Sequence, residues 1–462
     1  MTTRRSGGVG VDQETVIRVR EAVNASFVEQ RTPDMGMADQ RQLTQALIQA
    51  EVGTEARRRA ESGVPALNAA AEHALSQAVD NAINGIGKLQ NLLDIEGVED
   101  IYIHGAEPVR LRMADGRMLE DEPIADTPDE LFAQVQFLAA HHGSRERPFS
   151  PANPVLDMAL PDGSRLAAVC DLSPWPIVTI RRMAFRDVTL DSLLTPMGSI
   201  TPAMMRFLKA LVTANQVIVV SGAPFSGKTV LLRALTREID HYVRYATLET
   251  EYELGLHRDG NASPLLVPLE GRQGSMERDP TGRPMGEITL ADLLPPVLRH
   301  SITRVIYGEV RGPEAYAFLK GANAGLPGSM TTIHANSAEQ AMDRLVTAAM
   351  EGAPGMSAEY LTRLAAQGVN YVVHVRRLDH TAIGGSAGRF VAEIGELTGQ
   401  VSPAGKPAMN WVFRPAPGSG DPRGVFEGPP ERLEPFQEIG FDLSTLDRDD
   451  AWDNTFQLGR LA

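Results

Sequence analysis

Residues 216–229 constrain the fold of this chain more than any other stretch. Gln216-Val217-Ile218-Val219-Val220-Ser221 is a short β-branched run suited to a buried strand. It leads into Gly222-Ala223-Pro224-Phe225-Ser226-Gly227-Lys228-Thr229, which fits the pattern G-x-x-x-x-G-K-[ST], and Val230 to Ile239 then has helical character. A strand that ends in such a loop and restarts as a helix surrounds an anion with backbone N–H groups and a helix N-terminus. The candidate nucleotide-binding set is therefore Gly222, Ala223, Pro224, Phe225, Ser226, Gly227, Lys228, Thr229 and Val230. Lys228 is expected to reach the β- and γ-phosphates of ATP, and the Thr229 hydroxyl to bind Mg²⁺. Lysine is scarce, with only Lys88, Lys209, Lys228, Lys320 and Lys406, so a lysine at this place is hard to ascribe to chance.

Residues 201–402 alternate apolar strands with helical patterns, which predicts an α/β core with a mostly parallel sheet covered on both faces. Three further segments could bring chemistry to its carboxyl edge, where open α/β sheets bind ligands. Tyr245 to Leu254 places Glu249, Glu251 and Glu253 after a strand, and a carboxylate there could take a proton from the attacking water. Arg304-Val305-Ile306-Tyr307-Gly308-Glu309-Val310-Arg311-Gly312 is a second strand ending in an acid. Glu309 is a candidate for the Mg²⁺ shell or for polarising that water, with Arg311 beside it. Gly325 to Ser337 is a glycine turn, a strand and a histidine, so Thr332 and His334 could sense the γ-phosphate. Taken singly, each of these three reads as an ordinary strand end; the phosphate loop gives them weight.

With 462 residues, two or three domains are expected. Residues 1–90 read as helices: one from a cap at Asp12 to about Gln30, a turn at Thr32-Pro33-Asp34, and a second over Asp39 to Glu61. A third is expected after Gly63, with Pro65 in its first turn, running to about Ile86. Residues 91–185 alternate in the manner of a small α+β domain, with hairpin turns at Ala114-Asp115-Gly116-Arg117 and Pro161-Asp162-Gly163-Ser164. Residues 186–200 read as a linker, and 403–462 as a Pro/Gly-rich extension with a short final helix. The single cysteine, Cys170, lies in an apolar run and excludes an intramolecular disulfide or a Cys-built metal site. A net charge of −15 argues against a nucleic-acid partner. Neither a signal peptide nor a membrane span is legible, which predicts a cytoplasmic protein.

The four elements (phosphate loop, acidic box, Glu-bearing strand, His-bearing strand) follow one another in an order that resembles the type II/type IV secretion ATPase superfamily. The likeness is greatest to its Tad (Flp) pilus branch, with conjugation and type IV secretion ATPases close behind. The strings that carry it are Leu160 to Arg165, Thr179-Ile180-Arg181-Arg182, Gly286-Glu287-Ile288-Thr289, Gly308 to Ala315 and Thr332 to Ser337, within residues 90–440. The resemblance implies a RecA-like P-loop ATPase core preceded by a PAS-like α+β domain, with the helical N-terminal region before it. It further implies a homo-hexameric ring at the cytoplasmic face of the inner membrane, working with membrane platform proteins of a pilus or secretion machine. Nucleotide would lie between the two domains, with Arg165, Arg181 and Arg182 closing over it through their planar guanidinium forks.

The sequence departs from the family at several points. The acidic box reads Glu249-Thr250 in place of Glu-Asp, and Gly325-Leu326-Pro327 stands where Gly-His is usual, leaving His334 as the remaining histidine. Arg299 to Arg304 replaces a basic stretch, and Pro295-Pro296 is expected to interrupt the preceding helix. A slow or specialised ATPase is one expectation from these changes. Glu249 is the leading candidate for general base and Glu309 for the Mg²⁺ and water shell, and the two roles could be exchanged. Two alternatives to a secretion or pilus motor are a DNA-translocating conjugation-type ATPase and a weakly hydrolysing, nucleotide-gated scaffold subunit.

Overall fold

The computed structural model describes residues 3–4 and 13–459, apart from 33, 34, 36, 84–87, 115, 142–147, 161, 183–186, 259–261, 273, 275, 276, 448–451, 453 and 455. The Asp12 cap, the Pro33-Asp34 turn, and the Asp115 and Pro161 positions of the two hairpin turns lie outside the described residues. The chain divides into two compact units, Met1–Ala184 and Phe185–Ala462.

The first unit opens with β1 (Thr3–Arg4), α1 (Gln13–Gln30), α2 (Met37–Glu61), α3 (Ala69–Ile83) and α4 (Lys88–Leu93). Val19, Val23, Ile48, Leu75 and Val79 form the buried seam of the first three helices. The third helix starts later than expected: Pro65 lies outside it, and the Asn68 side chain accepts from Ala71 N at 2.8 Å. An Asn side chain satisfies the free N–H groups of a first turn, whereas Pro65 offers no such acceptor. The remaining elements are β2 (Val98–His104), β3 (Val109–Met113), β4 (Met118–Asp121), α5 (Pro128–His141), β5 (Val155–Ala159), β6 (Arg165–Val169) and β7 (Ile177–Arg181). The strands form a sheet of order β1-β4-β3-β2-β7-β6-β5, antiparallel except for the β1–β4 pair. Alternate residues of β2, among them Ile101 and Ile103, meet Leu131 and Val135 of α5 in its core, as period-two strands against an amphipathic helix require. Cys170 is buried in the same core, and desolvation raises its thiol above the usual range.

The expected linker, 186–200, falls inside the second unit. There Thr189 and Ser192 form a capping box that starts α6 (Leu190–Leu194), and Val188, Leu190, Leu193 and Ile200 are buried in the core. A helix this short shows no periodicity to read. It is followed by α7 (Pro202–Thr213), β8 (Ile218–Gly222), α8 (Lys228–Thr236), β9 (Tyr245–Glu249), β10 (Leu266–Glu270) and α9 (Leu290–Leu298). Next come β11 (Arg304–Tyr307), α10 (Glu314–Asn323), β12 (Met330–His334), α11 (Ala338–Gly352), α12 (Ala358–Gly368) and β13 (Tyr371–Asp379). The last are β14 (Ala387–Val401), β15 (Pro407–Pro415), β16 (Gly424–Phe426) and α13 (Glu434–Glu438).

The strands form a nine-stranded sheet of order β10-β9-β11-β12-β8-β13-β14-β15-β16, parallel from β10 to β13 and antiparallel beyond. β8 lies between β12 and β13, and all five of its residues are buried. Its side chains divide between two cores: Ile218 and Val220 face α7 and α8, while Val219, with Val217 just before the strand, faces the side of α9 to α12. Burying each of these branched side chains contributes on the order of 2 kcal/mol.

Two expectations are corrected here. α9 continues through Pro295 and Pro296, because Thr289 and Asp292 cap its start and the prolines fall in its last turns, where only two N–H groups are lost. The extension after 402 does not stand apart from the core. Its strands β15 and β16 complete the sheet, Phe436 stacks on Phe207 at 5.5 Å, and buried Glu396 accepts from Glu431 N (2.6 Å) and Arg432 N (3.0 Å).

Candidate active site

The phosphate loop leaves the carboxyl end of β8 in a conformation that its residues make possible. Gly227 has φ 100°, where a side chain would be strained, and Phe225 holds φ 63°. A Cβ at Gly222 would fall 2.4 Å from both Ser226 Oγ and Val375 O, so the strand can turn tightly here only as glycine. Ser226 Oγ is buried and has no hydrogen-bond partner among the described residues. A concave loop with a polar atom still unmatched fits a phosphate-bearing ligand. Thr229, in the first turn of α8, is half-buried.

Lys228 is buried, and its Nζ donates to Ala223 O at 3.1 Å and meets His334 Nδ1 at 3.1 Å. On the other side of the ring, His334 Nε2 lies 2.7 Å from Glu309 Oε1. β12 lies beside β8, and this adjacency brings the histidine to the loop. Desolvation, then the Lys228 charge, lower the His334 pKa, against the pull of Glu309; Arg344 and Arg311 lower it further. A neutral ring that accepts at Nδ1 from an ammonium carries its proton on Nε2, so it donates to Glu309. Arg344, on α11, is an electrostatic neighbour of His334 that sequence reading missed. Arg311 is exposed, with its backbone N–H held by Glu314.

Glu249 closes β9 fully buried, and its carboxylate accepts from Leu254 N at 2.6 Å. Burial pushes its pKa up to about 8 against that hydrogen bond; Glu270 adds to the rise, while Thr247 and the Arg233 charge oppose it. At neutral pH the carboxyl is mostly protonated. A Cβ on Gly308 would sit 3.2 Å from Glu249 Cγ, so the glycine before Glu309 makes room for this acid. Thr332 Oγ1 donates to Gly308 O at 2.8 Å and Val310 N to Thr332 O at 2.9 Å, which ties the Glu309 turn to the His334 strand. Glu253 lies on the turn after β9, its N–H bonded to Glu251 O, outside the Lys228–His334–Glu309 chain of contacts.

Arg165, Arg181 and Arg182 belong to the first unit. Arg165 and Arg181 are opposite each other in the β6–β7 ladder, Arg181 Nε donates to Asp100 at 3.2 Å, and Arg182 Nη1 donates to Ile95 O at 2.7 Å. Two further residues beside the loop went unnoticed in the sequence. His374 of β13 is buried with Nδ1 2.9 Å from Ser221 Oγ, and burial takes its pKa down to about 4. Arg389 of β14 donates from Nε to Phe225 O at 3.1 Å. Neither lies in a recognisable motif; strand pairing alone brings them here. Among the described residues no group of three His, Cys, Asp or Glu side chains could hold a metal, and no helix is long and apolar enough to cross a membrane.

A parallel sheet that gathers a phosphate loop and three acid- or histidine-bearing strand ends at one carboxyl edge is a RecA-like P-loop core. The chain belongs to the family described as type II/IV secretion system protein, which matches residues 89–383. It is 33% identical over 276 residues to the type IV secretion system protein VirB11 of Brucella suis biovar 1, covering 54% of this chain and 73% of that protein. It is 32% identical over 230 residues to the type IV secretion system protein PtlH of Bordetella pertussis, covering 45% of this chain and 64% of that protein. A solved structure, the VirB11 ATPase from the Brucella suis type IV secretion system in complex with sulphate, is 28% identical and covers 67% of this chain and 96% of its own, with a TM-score of 0.35.

Proposed function

We propose that this chain is an ATP-hydrolysing motor that powers protein secretion or pilus assembly across the bacterial envelope, acting as a homo-hexamer on inner-membrane platform proteins from the cytoplasmic side. The observation that carries the enzymatic part is the contact chain from Lys228 through His334 to Glu309, set against buried Glu249. Family membership supports the rest of this reading, and the Tad-like strings in the sequence favour pilus assembly as its setting.

The roles follow from charge and position. Loop N–H groups and Lys228 hold the β- and γ-phosphates, and the lysine exchanges its contacts with Ala223 O and His334 for phosphate oxygens. Thr229 and Glu309 are the residues that would hold Mg²⁺, which offsets phosphate charge when bound. Glu249 takes the proton from the attacking water: a carboxyl with a pKa of about 8 is far more basic than an exposed one, so the proton transfer is more favourable. His334, released by Lys228, reports the terminal phosphate to Glu309. Arg165, Arg181 and Arg182 are proposed as the arginines of the α+β domain that close on nucleotide, on the resemblance alone. Domain closure and opening would then carry the work.

Phosphate release by the purified chain tests this. Wild type should turn over ATP with Mg²⁺, and Lys228→Ala should not; equal rates would overturn the site assignment. Stimulation by DNA would move the reading to a conjugation-type translocase. Nucleotide binding without turnover would leave a nucleotide-gated scaffold.

A further inference from the structure

His334 stands between Lys228 and Glu309, and its ring is partly exposed, so these contacts depend on where the backbone puts it. Behind it, β12 is paired to β8 as far as Gly222. Ahead of it, only Ala335, Asn336 and Ser337 separate His334 from α11. All three are tied: Ala335 N donates to Gly222 O (3.3 Å), Asn336 N to Gln340 Oε1 (2.7 Å), and Ser337 Oγ accepts from Gln340 N (3.1 Å). A link this short passes any shift of the helix start on to the histidine. The bonds to Gln340 shape that start but do not fix its place over the sheet. A distant residue does so: Ala338 N, the first N–H of α11, donates to Glu393 Oε2 of β14 at 2.8 Å. The bond spans 55 residues of sequence and three steps of the strand order β12-β8-β13-β14.

A β-bulge aims Glu393 at α11. Val391 pairs with Val375, yet Glu393 pairs with His374, so Ala392 is the extra residue of the β13–β14 ladder. In a regular strand residues 391 and 393 would share a face. Here Val391 and Ile394 are buried with α7 and α8, while Glu393 turns to the side of α11. His374 is directly opposite Ser221 of β8, and their side chains meet at 2.9 Å. Ser221, His374 and Glu393 thus form a polar row across β8, β13 and β14, from the base of the phosphate loop to the start of α11. A carboxylate also suits the positive end of a 15-residue helix.

We propose that Glu393 is a positioning residue for hydrolysis: by holding the first N–H of α11 it sets His334 between Lys228 and Glu309. The proposal rests on the active-site reading above. Glu393 acts through α11 and His334 and not on the phosphate loop, so it should govern turnover more than nucleotide affinity. Its effect should also be bounded by that of His334.

Steady-state ATP hydrolysis and titration with fluorescent ATP and ADP analogues test this on wild type, Glu393→Ala, Glu393→Asp, Glu393→Gln and His334→Ala, and on the double variant Glu393→Ala/His334→Ala. Glu393→Ala should lower kcat by about tenfold, and by no more than His334→Ala does, with Kd for both nucleotides within about twofold of wild type. Asp keeps the charge but is one methylene, ~1.5 Å, too short for Ala338 N, and should behave like Ala. Gln keeps an acceptor at the full reach and should restore most of kcat. In the His334→Ala background, Glu393→Ala should cost nothing further. Unchanged kcat in the Ala and Asp variants overturns the proposal, as does a Gln variant no better than Asp. A loss that persists in full without His334, or one equally large in Kd, also overturns it. If Glu393→Ala does not fold, Glu393→Asp, alone and with His334→Ala, decides by the same criteria. Wild type that hydrolyses no ATP, or His334→Ala with unchanged kcat, overturns the active-site reading and this inference with it.

Discussion

Replacing Glu249 by Gln should stabilise the second unit and abolish turnover together. Glu249 is buried and its pKa is about 8, against 4.5 in the unfolded chain. Between those values the folded state keeps a proton that the unfolded state has released, so folding stability falls as pH rises through this window and is level above it. Each pH unit is about 1.36 kcal/mol, so the carboxyl alone costs about 3 kcal/mol at pH 7 relative to pH 4. Gln keeps an acceptor for Leu254 N and does not titrate. The stability difference between Glu249→Gln and wild type should therefore widen by about 2–3 kcal/mol from pH 5.5 to pH 7.5. Urea unfolding followed by tryptophan fluorescence measures it. A Trp175→Phe background leaves Trp411 and Trp452 as reporters, both in the second unit. ATP turnover in the same variant should fall below about 1% of wild type, the scale of a lost general base. A stability difference that stays flat over this pH range would refute the buried-acid reasoning; retained turnover would pass the base role to Glu309.

Three other substitutions probe the same scaffold. Gly308→Ala places a methyl 3.2 Å from Glu249 Cγ, so we expect a loss of about 1–2 kcal/mol in urea unfolding and a turnover loss greater than tenfold; wild-type kinetics would show that Glu249 can shift freely. His374, with a folded pKa of about 4 against 6.5 unfolded, works in the opposite sense to Glu249: the unfolded state gains a proton first as pH falls from 6.5 to 4, and stability drops by about 3 kcal/mol. His374→Gln should remove that acid-side slope, and an unaltered slope would place it elsewhere. Glu396→Ala leaves Glu431 N and Arg432 N without their acceptor and should cost about 3 kcal/mol, with increased proteolysis after residue 402; a melting midpoint within 1 °C of wild type would mean the tail is held by other contacts.

The candidate residues of the carboxyl edge were legible because they sit in ordered strings, each a strand followed by a polar or charged side chain. The α/β class and the parallel order of the first strands follow from such local signals, whereas the RecA-like core was implied by the family resemblance those strings carry, and the contacts of His334 with Lys228 and Glu309 needed the pairing of β12 with β8. Arg389 and His374 were not legible. Each is an ordinary residue of a β-strand, 164 and 153 positions from its partner in the loop, and only the order β8-β13-β14 gives it a role. The tail misled for a different reason. Proline and glycine from 403 to 428 mark turns between strands as readily as they mark an extension; of the strands themselves, Pro407–Pro415 is interrupted by Asn410 and Arg414 and Gly424–Phe426 is only three residues long. Their place in the sheet depends on Glu396 and Phe207, far away in sequence.

The two departures from the family's boxes can be judged on the same geometry. Leu326, where a histidine is usual, is buried in the core beside α9 and α10 and lies against Gly321, so its side chain serves packing and faces away from solvent. Thr250, where an acid is usual, is exposed one residue past buried Glu249. Neither touches the path from Lys228 through His334 to Glu309, and neither displaces Glu249 from its pocket next to Gly308. A second acid at 250 would have added negative charge next to a carboxyl that must ionise to accept a proton, raising its pKa further. The threonine therefore favours ionisation of Glu249, and Thr250→Asp should shift the alkaline rise of the pH–rate profile to higher pH. An unshifted profile would show that position 250 is electrostatically separate from the base.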